Sequence, residues 1–168
     1  MNRIDIQKFS SDYDVRRLHL EDAERIYAFC KKNTQYYAYC GKEPSVELIE
    51  QDLQIAPPGI PMEQKYYIGF FENSGLVAVM DLIAGYPTCS DAFIGFFMMR
   101  AEWQGRGIGS RIVAETLAYL RENGFRKCQL GIDKSNPQSN HFWRKNGFSV
   151  VREVEIGEGT ILVAEREL

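Results

Sequence analysis

The sequence predicts one α+β domain, a mixed central β-sheet with helices on both faces. Three observations lead to it. Apolar periodicity orders the chain as strand, two helices, three strands, helix, strand, helix and two strands. The earlier strands are joined by hairpin-length turns, which give antiparallel neighbours, whereas the later strand–helix–strand passage implies a right-handed parallel crossover. Finally, 168 residues, 45% of them hydrophobic, suit a single domain over 1–168 whose core needs no staples.

Taken in order, "YDVRRLHLEDAERIYAFCKK" reads as a short strand and then a helix beginning near Glu21. Glu21 and Asp22 sit where the helix dipole favours acids, and Lys31 and Lys32 stand at the far end. "NTQYYAYCGKEP" reads as a tyrosine-rich connection. "PSVELIEQDLQ" spaces Val46, Ile49 and Leu53 helically behind Ser45, an N-cap candidate, and "APPGIP" breaks regular structure. "KYYIGFFE" and "LVAVMDLIAGYP" flank "NSG" as a hairpin. "PTCSD" then leads into "AFIGFFMMR", a strand apolar enough to be central and covered on both faces. The helix that follows runs to about Asn123 and stops at Asn123-Gly124. "KCQLGID" is the next buried strand, and "NPQSNHFWRKNGF" a short helix with its own Asn-Gly stop. "SVVREVEI" and "TILVAEREL" close the chain as a hairpin.

Charge and cysteine usage exclude some partners. A net charge of −3 with interspersed signs argues against a nucleic-acid groove. No apolar run reaches transmembrane length and the start lacks a signal-type apolar core, so a cytoplasmic location and no membrane partner are expected. Cys30, Cys40, Cys89 and Cys128 show no C-x-x-C pair, and only His19 and His141 are available. Free thiols in a reducing compartment and no metal site are the expectation.

The chemistry is concentrated in "RAEWQGRGIGSRIVAETLAYL". Gly105, Gly107 and Gly109 alternate at the mouth of a helix whose apolar face is Ile108, Ile112, Val113, Leu117 and Leu120. A helix N-terminus offers free N–H groups and partial positive charge, and glycine lets a ligand approach the bare backbone. Together these suit an anion, above all a phosphate. The spacing departs from two common nucleotide loops. A P-loop requires G-x-x-x-x-G-K-[ST], but Ser110 and Arg111 follow Gly109. A dinucleotide fingerprint starting at Gly105 requires glycine where Ser110 stands, although Asp133 mimics the ribose-binding acid.

"QGRGIG", Gln104 to Gly109, fits Q/R-x-x-G-x-G/A at every specified position. Together with "N-x-x-S…F-W-x-K-x-G-F" in the last helix, it resembles the GNAT superfamily of N-acetyltransferases over nearly the whole chain. The resemblance implies a GNAT-like fold with a splayed strand pair and acetyl-CoA (coenzyme A) as cofactor. Backbone N–H groups of Gln104, Gly105, Arg106, Gly107, Ile108, Gly109 and Ser110 would wrap its pyrophosphate. The backbone of Phe97, Met98 and Met99, beyond a bulge, would bond the pantetheine arm as an added strand does. Asn136, Asn140 and Trp143 would border the cofactor from the other side. Asn136 is equally a helix cap ahead of Pro137, His141 a surface residue, and Arg144 and Lys145 either phosphate contacts or solvated charges.

The implied reaction is direct attack of a neutral amine on the thioester, with a carboxylate or water chain removing the proton. The family's tyrosine, which protonates the leaving thiolate, is replaced here by Trp143. Its indole N–H donates a hydrogen bond but is no acid near neutral pH, so proton delivery falls to water, the substrate or another tyrosine. The strand 92–100 carries no carboxylate. Asp81, an acid inside an apolar strand, is the candidate base, or else a paired structural acid. Glu102 reads as an exposed loop acid. Tyr36, Tyr37 and Tyr86 are candidate walls for a cationic amine, or core residues. The acceptor would be a small-molecule amine or a peptide. Such folds often form a homodimer, though no residue marks an interface. The alternative function is a non-catalytic acyl-CoA-binding sensor or partner module.

Overall fold

The hairpin at 65–84 frames the sheet. In the computed structural model, which describes residues 4–168, its strands are β2 (Lys65–Glu72) and β3 (Gly75–Ala84). They turn through Asn73, whose φ of 56° lies in the left-handed region that Asn tolerates. β1 (Asp14–Arg17) pairs antiparallel with β2, and β4 (Asp91–Met99) pairs antiparallel with β3. The chain then crosses over through α4 (Ile108–Glu122) to β5 (Lys127–Asp133), which is parallel to β4. After α5 (Pro137–Lys145), the hairpin of β6 (Ser149–Ile156) and β7 (Gly159–Glu167) lies so that β7 pairs with β5. The seven strands run β1-β2-β3-β4-β5-β7-β6. The mixed sheet and its crossover are as the sequence predicts.

Strand alternation sorts the core into two layers. Ala78, Met80 and Leu82 of β3 meet Ile112, Val113, Leu117 and Leu120 of α4 on one face. Val79 and Tyr67 meet Ile26 and Phe29 of α1 (Ala23–Cys30) and Ile49 and Leu53 of α3 (Val46–Gln54) on the other. The expected caps are in place: the Ser45 hydroxyl accepts from the Leu48 N–H at 3.2 Å, and the Asn136 side chain from the Ser139 N–H at 3.0 Å. Gly124 and Gly147, at φ 89° and 84°, end α4 and α5.

Two elements differ from the sequence reading. The tyrosine-rich connection is in fact a helix, α2 (Thr34–Cys40), closed by left-handed Gly41. It buries no residue fully, so it carries no apolar stripe for periodicity to detect. The central strand β4 is not covered throughout: Gly95 is exposed, and Phe93, Phe96 and Phe97 are half-buried. The reason is that β4 pairs with β5 only from Asp91 to Ile94, after which the two strands part. All four cysteines are free, and among the described residues no helix is long and apolar enough to cross a membrane.

Candidate active site

The parted strands open a cleft of about 540 Å³, within the range of small-molecule sites. Phe97, Met98 and Met99 form its β4 wall, the loop from Gln104 and the start of α4 its head, and α5 its other side. Each glycine of the loop has its own physical reason. Gly105 and Gly107 stand at φ 75° and 78°, where side chains are strained, and a Cβ on either would point into open space. Gly109 has ordinary φ, but a Cβ there would lie 3.0 Å from Met99 Cγ and 3.4 Å from Phe142, so glycine lets α4 close on β4.

The first backbone bond of α4 runs from the Arg111 N–H to the Gly107 carbonyl. That leaves the N–H groups from Gly105 to Ser110 ahead of the helical ladder, at the positive end of its dipole. The Gln104 N–H is different, because it already donates to the Ala101 carbonyl at 3.4 Å. Bare donors beside open space at Gly105 and Gly107 are what an anionic diphosphate requires, so these residues fit coenzyme A.

The Gln104 side chain knits the head of the cleft together. Its Nε2 donates to the Met99 carbonyl at 3.3 Å and to Asn33 Oδ1, while its Oε1 accepts from Gln138 Nε2 at 3.2 Å. Asn33, just before α2, is 6% exposed, and its Nδ2 has no partner. Asn33, Gln138, Thr34 and Trp103 line the cleft but were not singled out from the sequence. The first three sit in or beside helices whose polar residues carry no motif, so only the third dimension brings them together.

Of the residues expected at the cofactor, Arg106 and Asn140 are absent from the lining. Arg106 is exposed, and the Asn140 amide donates to the carbonyls of Asp133 and Asn136 at 3.2 and 2.9 Å, tying α5 to β5. Asn136 lines the cleft and caps α5 at once. Lys145 is in the lining and Arg144 is not; exposed His141 is. Trp143 is 6% exposed, edge-on to Phe97, Phe142 and Phe148 at centroid distances of 5.9, 4.9 and 5.2 Å.

Among the candidate acceptor residues, Tyr36 lines the cleft and packs edge-on to Phe96 at 6.0 Å. Tyr37 packs against Tyr36 outside the lining, and Tyr86 packs on Phe93, near the opposite end of β4. Burial pushes the Tyr36 and Tyr37 hydroxyls well above the usual phenol range, so both remain protonated donors.

Asp81 is not in the lining; it is ion-paired with Lys65 at 2.7 Å, and the two residues are 8% and 5% exposed. Its Oδ1 has no partner. The β3–β4 register slips here: Asp81 faces Phe96 and Leu82 faces Ile94, leaving Gly95 as the extra residue of a bulge. Burial pushes the Asp81 carboxyl up from its usual value, and Asp52 adds to this, while Lys65 opposes both.

The Acetyltransferase (GNAT) family model matches residues 26–148. No curated protein matches the chain in sequence. Among solved structures, an acetyltransferase from Thermus thermophilus is 25% identical, with a TM-score of 0.75 over 93% of this chain and 97% of its own. The PaiA N-acetyltransferase of Thermoplasma acidophilum, in complex with coenzyme A, is 20% identical with a TM-score of 0.64, covering 93% and 99%. Ard1 of Thermoplasma volcanium is 17% identical with a TM-score of 0.68, covering 94% and 98%. These last two share the fold.

Proposed function

The chain belongs to the GNAT family of acetyltransferases, whose acyl donor is acetyl-CoA, and on that premise we propose that it acetylates a primary amine. The observation that carries the reading is the open cradle of N–H groups at Gly105 and Gly107, set at the head of a cleft between parted strands. When bound, acetyl-CoA supplies an activated acetyl thioester. The chain's own groups hold and orient it. The N–H groups from Gly105 to Ser110 meet the diphosphate, and Lys145 adds positive charge at the rim. Past Ile94, β4 keeps a backbone edge free on its β5 side, which receives the amides of the pantetheine arm as a strand would. Stacked Phe97 and Phe142, 5.8 Å apart, and edge-on Trp143 keep water from the floor.

Trp143 replaces an acid with a donor. Its indole N–H would offer the leaving sulfur a hydrogen bond but no proton, which would come from another donor. Tyr36, at the mouth of the acceptor side, offers an aromatic wall and a hydroxyl donor.

Two measurements test this. Acetyl-CoA in large excess should raise the melting temperature, and an unchanged Tm would refute the cofactor site. Thiol release from acetyl-CoA should accelerate with at least one member of a panel of monoamines, polyamines, amino-acid amides and peptides. Binding without release across that panel would favour a non-catalytic acyl-CoA-binding module.

A further inference from the structure

We propose that the side-chain amide of Asn33 binds the cofactor arm, its Nδ2 donating to a neutral oxygen of the pantetheine chain next to the diphosphate. The proposal rests on the acetyltransferase reading above and deepens it with a binding residue from the start of α2.

A chain of three carboxamides leads to that atom. Gln138 Nε2 donates to Gln104 Oε1, and Gln104 Nε2 donates in turn to Asn33 Oδ1 and to the Met99 carbonyl. The direction of the chain is fixed from one end. A backbone carbonyl only accepts, so the Gln104 atom beside Met99 must be its nitrogen. The Gln104 oxygen then faces Gln138, and the Asn33 atom that meets Gln104 must be oxygen. Turning over any one amide would set nitrogen against nitrogen or oxygen against oxygen. The end of Asn33 left over is therefore a donor, and it has no partner.

Asn33 also forgoes the usual task of an asparagine in its place. It stands at the N-cap of α2, where its oxygen would ordinarily accept from the first turn, yet it makes no cap bond. Its backbone is already satisfied: its N–H donates to the Cys30 carbonyl at 2.9 Å, and its carbonyl accepts from the Tyr37 N–H at 3.4 Å. Residues 32–36 line the cleft without a break, and Asn33 is the buried one among them. A buried donor is costly unless something supplies an acceptor, and the cleft is where one arrives.

The neighbours indicate which oxygen it is. Gln104 holds Asn33 at the level of Met99, the last residue of β4, beside the strand edge that receives the arm. The cradle of N–H groups begins beyond it, at Gly105. One uncharged donor in a nearly closed place matches a carbonyl or hydroxyl oxygen. A diphosphate draws instead on charged groups and on several N–H groups together. Asn33 is thus a binding residue, and Gln104 and Gln138 are positioning residues that orient its amide.

Nitrogen-15 NMR reads this directly, with the Asn33 side-chain amide assigned in the parent through its own Cα. Acetyl-CoA in excess should move an Asn33 Nδ2 proton downfield together with the Gly107 amide. ADP, which carries the diphosphate without the arm, should move Gly107 and leave Asn33 in place. Asn33→Asp keeps an oxygen for Gln104 but turns the free donor into an acceptor. Acetyl-CoA should therefore lose at least about 10-fold more affinity than ADP, whose change measures the added charge alone. An Asn33 amide that ignores acetyl-CoA while Gly107 responds, or equal losses for the two ligands, would overturn the proposal. An amide moved as far by ADP would place the partner oxygen on the diphosphate and overturn it as well. Silence at both amides would refute the cofactor reading instead. Should Asn33→Asp not fold, the resonances of the parent carry the test.

Discussion

At the scale of single residues, the loop glycines divide the labour between conformation and contact. Gly107 is left-handed and its missing Cβ leaves open space, so an aspartate there adds strain, bulk and negative charge at one point. Gly107→Asp should abolish stabilisation by acetyl-CoA, which at 100 times Kd amounts to about 2.7 kcal/mol in the parent protein. A thermal-shift titration checks it, and equal shifts in parent and variant would refute the loop assignment. Trp143 gives a second residue-scale prediction. The parent has no ionising group at that position, whereas Trp143→Tyr introduces a phenol that titrates at about 10. The pH profile of kcat should therefore acquire an alkaline limb in the variant that the parent lacks.

At the scale of elements, the site depends on how α2 is tied to the loop. The Gln104 amide joins Asn33, the Met99 carbonyl and Gln138, and so links the α2 start, the β4 end and α5. Gln104→Ala would leave buried Asn33 with its Oδ1 as well as its Nδ2 unsatisfied. The expected loss is about 1–3 kcal/mol, more than an exposed loop position normally gives, measured by urea denaturation. This junction also marks where sequence reasoning runs short. β2, β3, α3, α4 and α5 were legible because apolar periodicity, a Ser or Asn cap and an Asn-Gly stop all support one another across them. α2 was not, because it has tyrosines but no fully buried face. The loop glycines declared themselves by spacing, while Asn33 and Gln138 gain meaning only by touching Gln104 across 71 and 34 residues. The relation of Gly95 to Asp81 required the register of β3 on β4.

At the scale of the molecule, a buried ion pair inside the sheet is a poor device for stability. Removing Lys65 alone strands a carboxylate and should destabilise by about 3–5 kcal/mol, whereas exchanging both partners for apolar residues of similar shape is expected to be neutral or stabilising. The double variant Lys65→Met/Asp81→Leu should therefore match or exceed the parent in urea midpoint. A double variant as unstable as Lys65→Met alone would show that the pair does hold the sheet together. The parting of β4 and β5 reaches further still. Strands β1 to β4 form one leaf and β5, β7 and β6 another, and the spine between them is the short parallel contact from Asp91 to Ile94. A ligand lodged between the leaves would bridge them, as a peg does in a hinge. On the proposed reading the cofactor would be a missing piece of the sheet as well as a reagent, and each turnover would remove and restore part of the protein's own cohesion.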